Sequence, residues 1–292
     1  MEKLWKIFEP YADNNFPKEF RTTDLLGRFW EMYLGCALLE FRLNLIERKQ
    51  RKIINDTYGP DLAIQMDKNK ICWIEAVTTN EGTTDDKVPK PEYVQNIEDS
   101  DRKMQKFPTD EIILRLRSAI DYKWKKFQYF KESKIISQND RCVIAINPLK
   151  IDYPCHGGDE ELILKSLIGL GDYKAILVNG IITKEYYEYR PIIIKKNAKK
   201  APVNTDIFLN DSYKEISAIL YSCVSPTESS GMRSTKEILF IPLPTYDFIY
   251  FPLGYDFILI HNPYAINPIS KESLPNKYEI LVENEKWRKI TH

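Results

Sequence analysis

Asp61 and Glu75 stand where an ordinary acid would be costly. Glu75 interrupts the apolar run Ile71-Cys72-Trp73-Ile74-Glu75-Ala76-Val77. A carboxylate buried there must be paired or bound to a metal ion, because desolvating it alone is prohibitive. Asp61 follows Gly59-Pro60 and opens the apolar run Leu62-Ala63-Ile64. Two carboxylates at facing ends of a hairpin can hold Mg2+, which prefers oxygen ligands and keeps several of its waters. An ion held so can activate water and stabilise charge on a phosphodiester.

The elements around the pair decide whether its members meet. Residues 62–66 and 71–77 are predicted strands, and Asp67-Lys68-Asn69-Lys70 between them is turn chemistry. A four-residue turn at 67–70 places Asp61 opposite Ala76 and sends Glu75 to the other sheet face. A three- or five-residue loop, or a bulge, brings both acids to one face.

Two long helices flank the hairpin in sequence. Thr22, Thr23 and Asp24 offer caps for the first, predicted over 23–49, with Leu26, Phe29, Trp30, Tyr33, Leu34, Ala37 and Phe41 on one face. The second is predicted from Asp110 to Ser133. Its apolar stripe comprises Ile112, Ile113, Leu116, Ile120, Phe127 and Phe130, and Lys123 falls about 20° from the middle of it. A lysine there must snorkel to the edge, pair with a carboxylate, or lose its charge.

The Pro60-Asp61 at the start of one strand and Glu75-Ala76-Val77 on the next, with thirteen residues between the two acids, resemble the PD-(D/E)XK, or restriction-endonuclease-like, nuclease superfamily. The preceding helix, running into Leu38-Leu39-Glu40, and the helix and strand that follow the hairpin fit the same pattern over roughly residues 22–150. The resemblance implies an α/β fold with a mixed central sheet flanked by helices. It also implies Mg2+ or Mn2+ held by Asp61 and Glu75, and cleavage of DNA. The family usually carries lysine two residues after the second acid, where this chain has Val77. Some members supply it from the following helix, which makes Lys123 the candidate. A glutamate from the first helix completes the family's site. Family spacing favours Glu31 and the helical wheel favours Glu40, so both stay candidates. Arg115 and Arg117 on the second helix are candidate phosphate contacts through their forked donors.

Composition bounds these expectations. The chain has 292 residues, 43% of them hydrophobic, which is enough for a sizeable core, and its formal net charge is zero. That balance excludes a uniformly basic nucleic-acid binder but not a local groove. The five cysteines show no C-x-x-C spacing and suit buried free thiols in a reduced, cytoplasmic compartment. The first residues lack the apolar core of a signal peptide, and no apolar stretch reaches membrane-spanning length. Residues 1–21 are expected to be a lead-in and 22–150 the catalytic core. A helix and six strands within 151–292 are expected to complete the same domain. Two other readings remain. One is a member of the same fold that has lost catalysis and serves as a binding module. The other is an unrelated α/β protein in which Asp61 and Glu75 are structural acids.

Overall fold

The computed structural model describes residues 1–51, 59–67, 70–83, 85–91, 107–153, 160–196, 200–226, 252–283 and 286–291. In chain order its regular elements begin with helices α1 (Glu2–Phe8), α2 (Phe16–Thr22) and α3 (Leu25–Glu40). Strands β1 (Leu62–Asp67) and β2 (Lys70–Asn80), helix α4 (Thr109–Glu132), strand β3 (Arg141–Lys150) and helix α5 (Glu160–Leu167) follow. Then come β4 (Leu170–Val178), β5 (Ile181–Tyr189), β6 (Ile192–Ile194), β7 (Pro202–Asn204) and β8 (Ala218–Tyr221). The last are β9 (Ile258–His261), β10 (Tyr278–Glu283) and β11 (Lys286–Thr291).

The fold is α/β around a mixed seven-stranded sheet of order β1-β2-β3-β8-β9-β10-β11. β2, β3 and β8 run parallel, while β1 pairs antiparallel to β2 and β9 antiparallel to β8. Side chains alternate across the sheet as the pleat demands. Cys72 and Ile74 of β2 point to the layer containing Trp30 and Leu34 of α3. Trp73 points to the opposite layer, with Leu116, Ile120 and Phe127 of α4. The hairpin is therefore gripped between two helical layers.

Helix α3 begins where Asp24 caps it, its carboxylate accepting from the Gly27 N–H at 3.0 Å. Phe29 through Leu38 are all buried, because the sheet covers one side and α1 and α2 cover another. The close approach of α1 requires Gly35, where an added Cβ would fall 2.3 Å from the Phe8 ring. Residues 1–20, expected as a lead-in, thus contribute helices whose Leu4, Phe8 and Phe16 share the α3 core. The helix stops at Glu40, short of the predicted residue 49, and Arg42 turns the chain back in the left-handed region at φ 62°. Leu45 then bridges to Ile64 along the outer edge of β1.

The second long helix, α4, lies within a residue of its predicted span. The predicted strand 141–147 extends to Lys150, and α5 closes at Gly169 (φ 63°), not at Gly171. The strand predicted at 174–180 is β4, and the one at 186–195 divides between β5 and β6. Those predicted at 214–222, 256–261 and 278–283 contain β8, β9 and β10. Strands β7 and β11 were not anticipated. A predicted strand at 237–242 and most of the predicted loop at 78–108 lie outside the described residues. Cys36, Cys72 and Cys142 are buried free thiols, and Cys223 is partly buried. Burial pushes the Cys36 and Cys142 thiols up to about 12, so they are unreactive. Among the described residues no helix is long and apolar enough to cross a membrane.

Candidate functional site

The register of the β1–β2 hairpin sets the geometry. Leu62 pairs with Ile74 and Ala63 with Trp73, so continuing the ladder places Asp61 beside Glu75. At the turn the count shifts: Gln65 pairs with Ile71 but Asp67 with Lys70. The irregularity at Met66 is the bulge that puts both carboxylates on one face. That face looks toward α4, since Glu75 has the parity of Trp73.

Asp61 is fixed from both sides. Its carboxylate accepts from the Ala76 N–H at 2.8 Å. The buried Arg51 guanidinium donates to the carbonyls of Pro60 and Asp61, both at 2.9 Å, and to that of Ile46 at 3.2 Å. Burial first, and the neighbouring Arg48 second, lower the Arg51 pKa to about 10, which keeps it cationic at neutral pH. Farther along the hairpin, Asp140 accepts from the Ile71 N–H and the Trp73 indole, each at 3.0 Å, and clamps β2 to the turn before β3.

Lys123 reaches the pair from α4. Its ammonium donates to Glu75 Oε2 and lies 3.4 Å from Asp61 Oδ2. The side chain is 8% exposed, and Glu75 is fully buried. Lys126, one turn along the helix, donates to the same Glu75 oxygen at 2.8 Å, and its side chain is 33% exposed. Of the two cations, Lys126 therefore faces solvent. Lys126 was not among the sequence candidates, although its spacing of three from Lys123 puts it on the same helical face.

The charges settle unevenly. Burial opposes ionisation of Asp61, but Lys123, Lys126 and the Ala76 N–H outweigh it and hold its carboxyl below the usual range. Burial, reinforced by Asp61, pushes Glu75 up against the pull of both lysines. Burial also disfavours the Lys123 charge, yet the two carboxylates prevail and raise its pKa, so it stays protonated.

Glu31 joins this neighbourhood from the other helical layer. It is 5% exposed and pairs with Arg28 at 2.7 Å, while Arg28 also holds Asp13 at 2.9 Å and Glu19. Burial and the nearby Asp61 charge push Glu31 up to about 8 despite Arg28. The folded protein therefore keeps this proton up to about pH 8, whereas the unfolded chain releases it near the ordinary glutamate value. The folded state binds the extra proton between those limits, so stability must fall as pH rises through that window. Glu31→Gln is expected to remove this slope and to gain on the order of 3 kcal/mol over wild type between pH 5 and 8.5. Urea denaturation at the two pH values checks it, and parallel losses in the two proteins would refute it.

Glu40 takes no part. It is exposed at the end of α3 and accepts from the Leu253 N–H at 3.2 Å. Nine residues beyond Glu31, it lies roughly 14 Å farther along the helix axis. The helical wheel misassigned it because α3 is buried on nearly every side, and a wheel discriminates only when one face is wet. Arg117 is likewise not available to a substrate. Its side chain is 3% exposed and is engaged by Asp121 at 2.7 Å, the Asn204 carbonyl at 2.8 Å and the Tyr213 hydroxyl at 2.8 Å. Arg115 is half-buried and caps β2 through the carbonyl and side-chain oxygen of Asn80, both at 2.9 Å. Two acids of the loop after β2, Glu81 and Asp86, have other partners. Glu81 pairs with Lys87 at 3.2 Å, and Asp86 accepts from the Lys196 N–H at 2.5 Å.

The residues fit a divalent cation. Glu75 Oε1 is buried and accepts no hydrogen bond among the described residues, a lone acceptor beside Asp61 that a cation would satisfy. No group of three or more His, Cys, Asp or Glu converges as a metal cage among the described residues. Mg2+ is commonly held by one or two carboxylates with its remaining sites filled by water and phosphate. Compared with family models, with curated proteins and with solved structures, the chain matches none significantly.

Proposed function

We propose that this protein is a metal-dependent nuclease of restriction-endonuclease-like type that cleaves phosphodiester bonds in DNA. The observation that carries this reading is the contact of one buried ammonium, Lys123, with two carboxylates that a bulged hairpin sets side by side. Residues 22–150 would be the catalytic core. The remainder would complete the domain around it, in a reduced cytoplasmic compartment that suits the free thiols. The choice of DNA rests on the resemblance of Pro60-Asp61, Glu75 and their flanking helices to that superfamily.

Asp61 and Glu75 would hold Mg2+ or Mn2+, which when bound supplies an activated water and neutralises charge at phosphorus. Lys123 holds its proton and its positive charge at the carboxylates. It takes the place that Val77 leaves empty, orienting the attacking water and offsetting negative charge as it grows on the phosphoryl oxygens. Glu31 keeps a proton at neutral pH that it can release as positive charge enters the site. Lys126, at the solvent side of Glu75, offers a cation to an incoming phosphate.

One observation favours a second reading, a binding module without catalysis: two lysines already share Glu75 Oε2 and could serve as its permanent counter-ions. The two readings separate in one assay. Incubated with plasmid DNA and with single-stranded RNA at millimolar Mg2+ or Mn2+, the protein is expected to cut the DNA and to be silenced by a chelator. Intact DNA together with no calorimetric metal binding would leave the second reading in place.

A further inference from the structure

A cavity of about 980 Å3 lies on the α4 side of the hairpin, bounded by the end of α4 and by the segment that runs along β1. Ile71 and Trp73, which share the parity of Glu75, line it, and Ile46, Ile135 and Ile136 extend the apolar wall. Lys131 lines it too, eight residues beyond Lys123 and so about 12 Å farther along the helix axis. Asp61, Glu75, Lys123 and Lys126 do not line it, so the cavity is separate from the carboxylate pair. Its volume falls at the upper end of the range for small-molecule sites, roughly 300–1,000 Å3.

Two buried cations line this cavity without counter-ions. Arg51 is 5% exposed and directs Nε and Nη1 to the carbonyls of Ile46, Pro60 and Asp61. Its Nη2 is buried and has no hydrogen-bond partner, and no carboxylate pairs with the guanidinium among the described residues. Lys131 is 9% exposed, and its ammonium has no ion-pair partner among the described residues. Asp140 belongs to the lining, but the Ile71 N–H, the Trp73 indole and the Ser137 N–H already occupy its two oxygens. Glu132, the other acid of the lining, is exposed. A buried charge without a counter-charge is costly, and so is a buried N–H without an acceptor. An anion in the cavity relieves both.

We infer that this cavity is a nucleotide site, which takes a free nucleoside monophosphate with its phosphate on Arg51 and Lys131 and its base against the apolar wall. The donors choose the head group. The two N–H of Arg51 Nη2 and the three of the Lys131 ammonium exceed what the two oxygens of a carboxylate need, and they suit the three oxygens of a phosphate dianion. Size and the isoleucine wall choose the body, since inorganic phosphate alone would leave most of the volume and all the apolar lining unused. The exposed amides of Asn44, Gln50 and Gln138 also belong to the lining. Each offers a donor and an acceptor, the combination that the edge of a base requires. Arg51 also holds the carbonyls of Pro60 and Asp61, so one side chain joins the occupied cavity to the carboxylate pair.

Calorimetric titration of the full chain with AMP, in metal-free buffer containing EDTA, tests the inference independently of any cleavage. Wild type is expected to bind AMP with a dissociation constant below about 1 mM. Adenosine and inorganic phosphate are each expected to bind at least about 10-fold more weakly. Lys131→Met is expected to weaken AMP by about 10-fold or more with a thermal melt no lower than wild type, because it removes a buried charge that lacks a partner. Arg51→Lys, which keeps the charge but loses the fork, is expected to weaken AMP as well. No binding of AMP to wild type at millimolar concentration overturns the inference. So does adenosine binding as tightly as AMP, a Lys131→Met variant with wild-type affinity, or binding of a short DNA strand without binding of AMP.

Discussion

Lys123→Met is expected to lower metal-dependent DNA cleavage by about 10^3-fold while leaving Mn2+ affinity undiminished or tighter. The two effects separate because the ammonium does opposite things at the two stages. Before substrate binds, its charge beside Asp61 and Glu75 repels an entering cation. During reaction the same charge offsets the negative charge gathering on the phosphate. Methionine preserves the bulk of the stem among Leu116, Ile120 and Phe127 but carries no proton. Deleting one partner of a buried ion pair ordinarily costs about 3–5 kcal/mol. Here Lys126 remains 2.8 Å from Glu75, and Glu75, already pushed up by burial, can take a proton instead. The variant should therefore fold. Titration calorimetry with Mn2+ and single-turnover cleavage read the two stages separately. Cleavage at the wild-type rate would end the catalytic reading of this lysine.

Glu75→Gln produces the complementary pattern, loss of both metal binding and cleavage. An amide retains an oxygen at this fully buried site but not the charge that holds a divalent ion. Affinity for Mn2+ should fall by at least about 100-fold and cleavage by about 10^3-fold. Stability should change little. The fold no longer has to desolvate a carboxylate, and Lys123 keeps Asp61 as its counter-charge at 3.4 Å. Undiminished Mn2+ binding by this variant would show that the ion, if any, sits elsewhere.

The local signals in the chain set several features. The apolar run of residues 71–77, broken by one carboxylate, marks a buried acid on a strand. The 3.6-residue period of α4 places Lys123 on the core side, and in the structure its ammonium meets Glu75 and Asp61 there. Both are short-range patterns, carried by residues that are near one another in sequence. Lys126 was legible by the same period once Lys123 was chosen.

Other features were decided only by packing. The bulge at Met66 decides on which face the two acids stand, and either parity is compatible with the letters Asp67-Lys68-Asn69-Lys70. The choice between Glu31 and Glu40 turned on what covers α3, namely β2 on one side and α1 and α2 on another. Arg117 looked like a free guanidinium until Tyr213 and Asn204, some ninety residues away, enclosed it. Register, burial on all sides of a helix, and long-range enclosure are many-body outcomes. They depend on which segments compete for the same surface, and no stretch of sequence carries that information by itself.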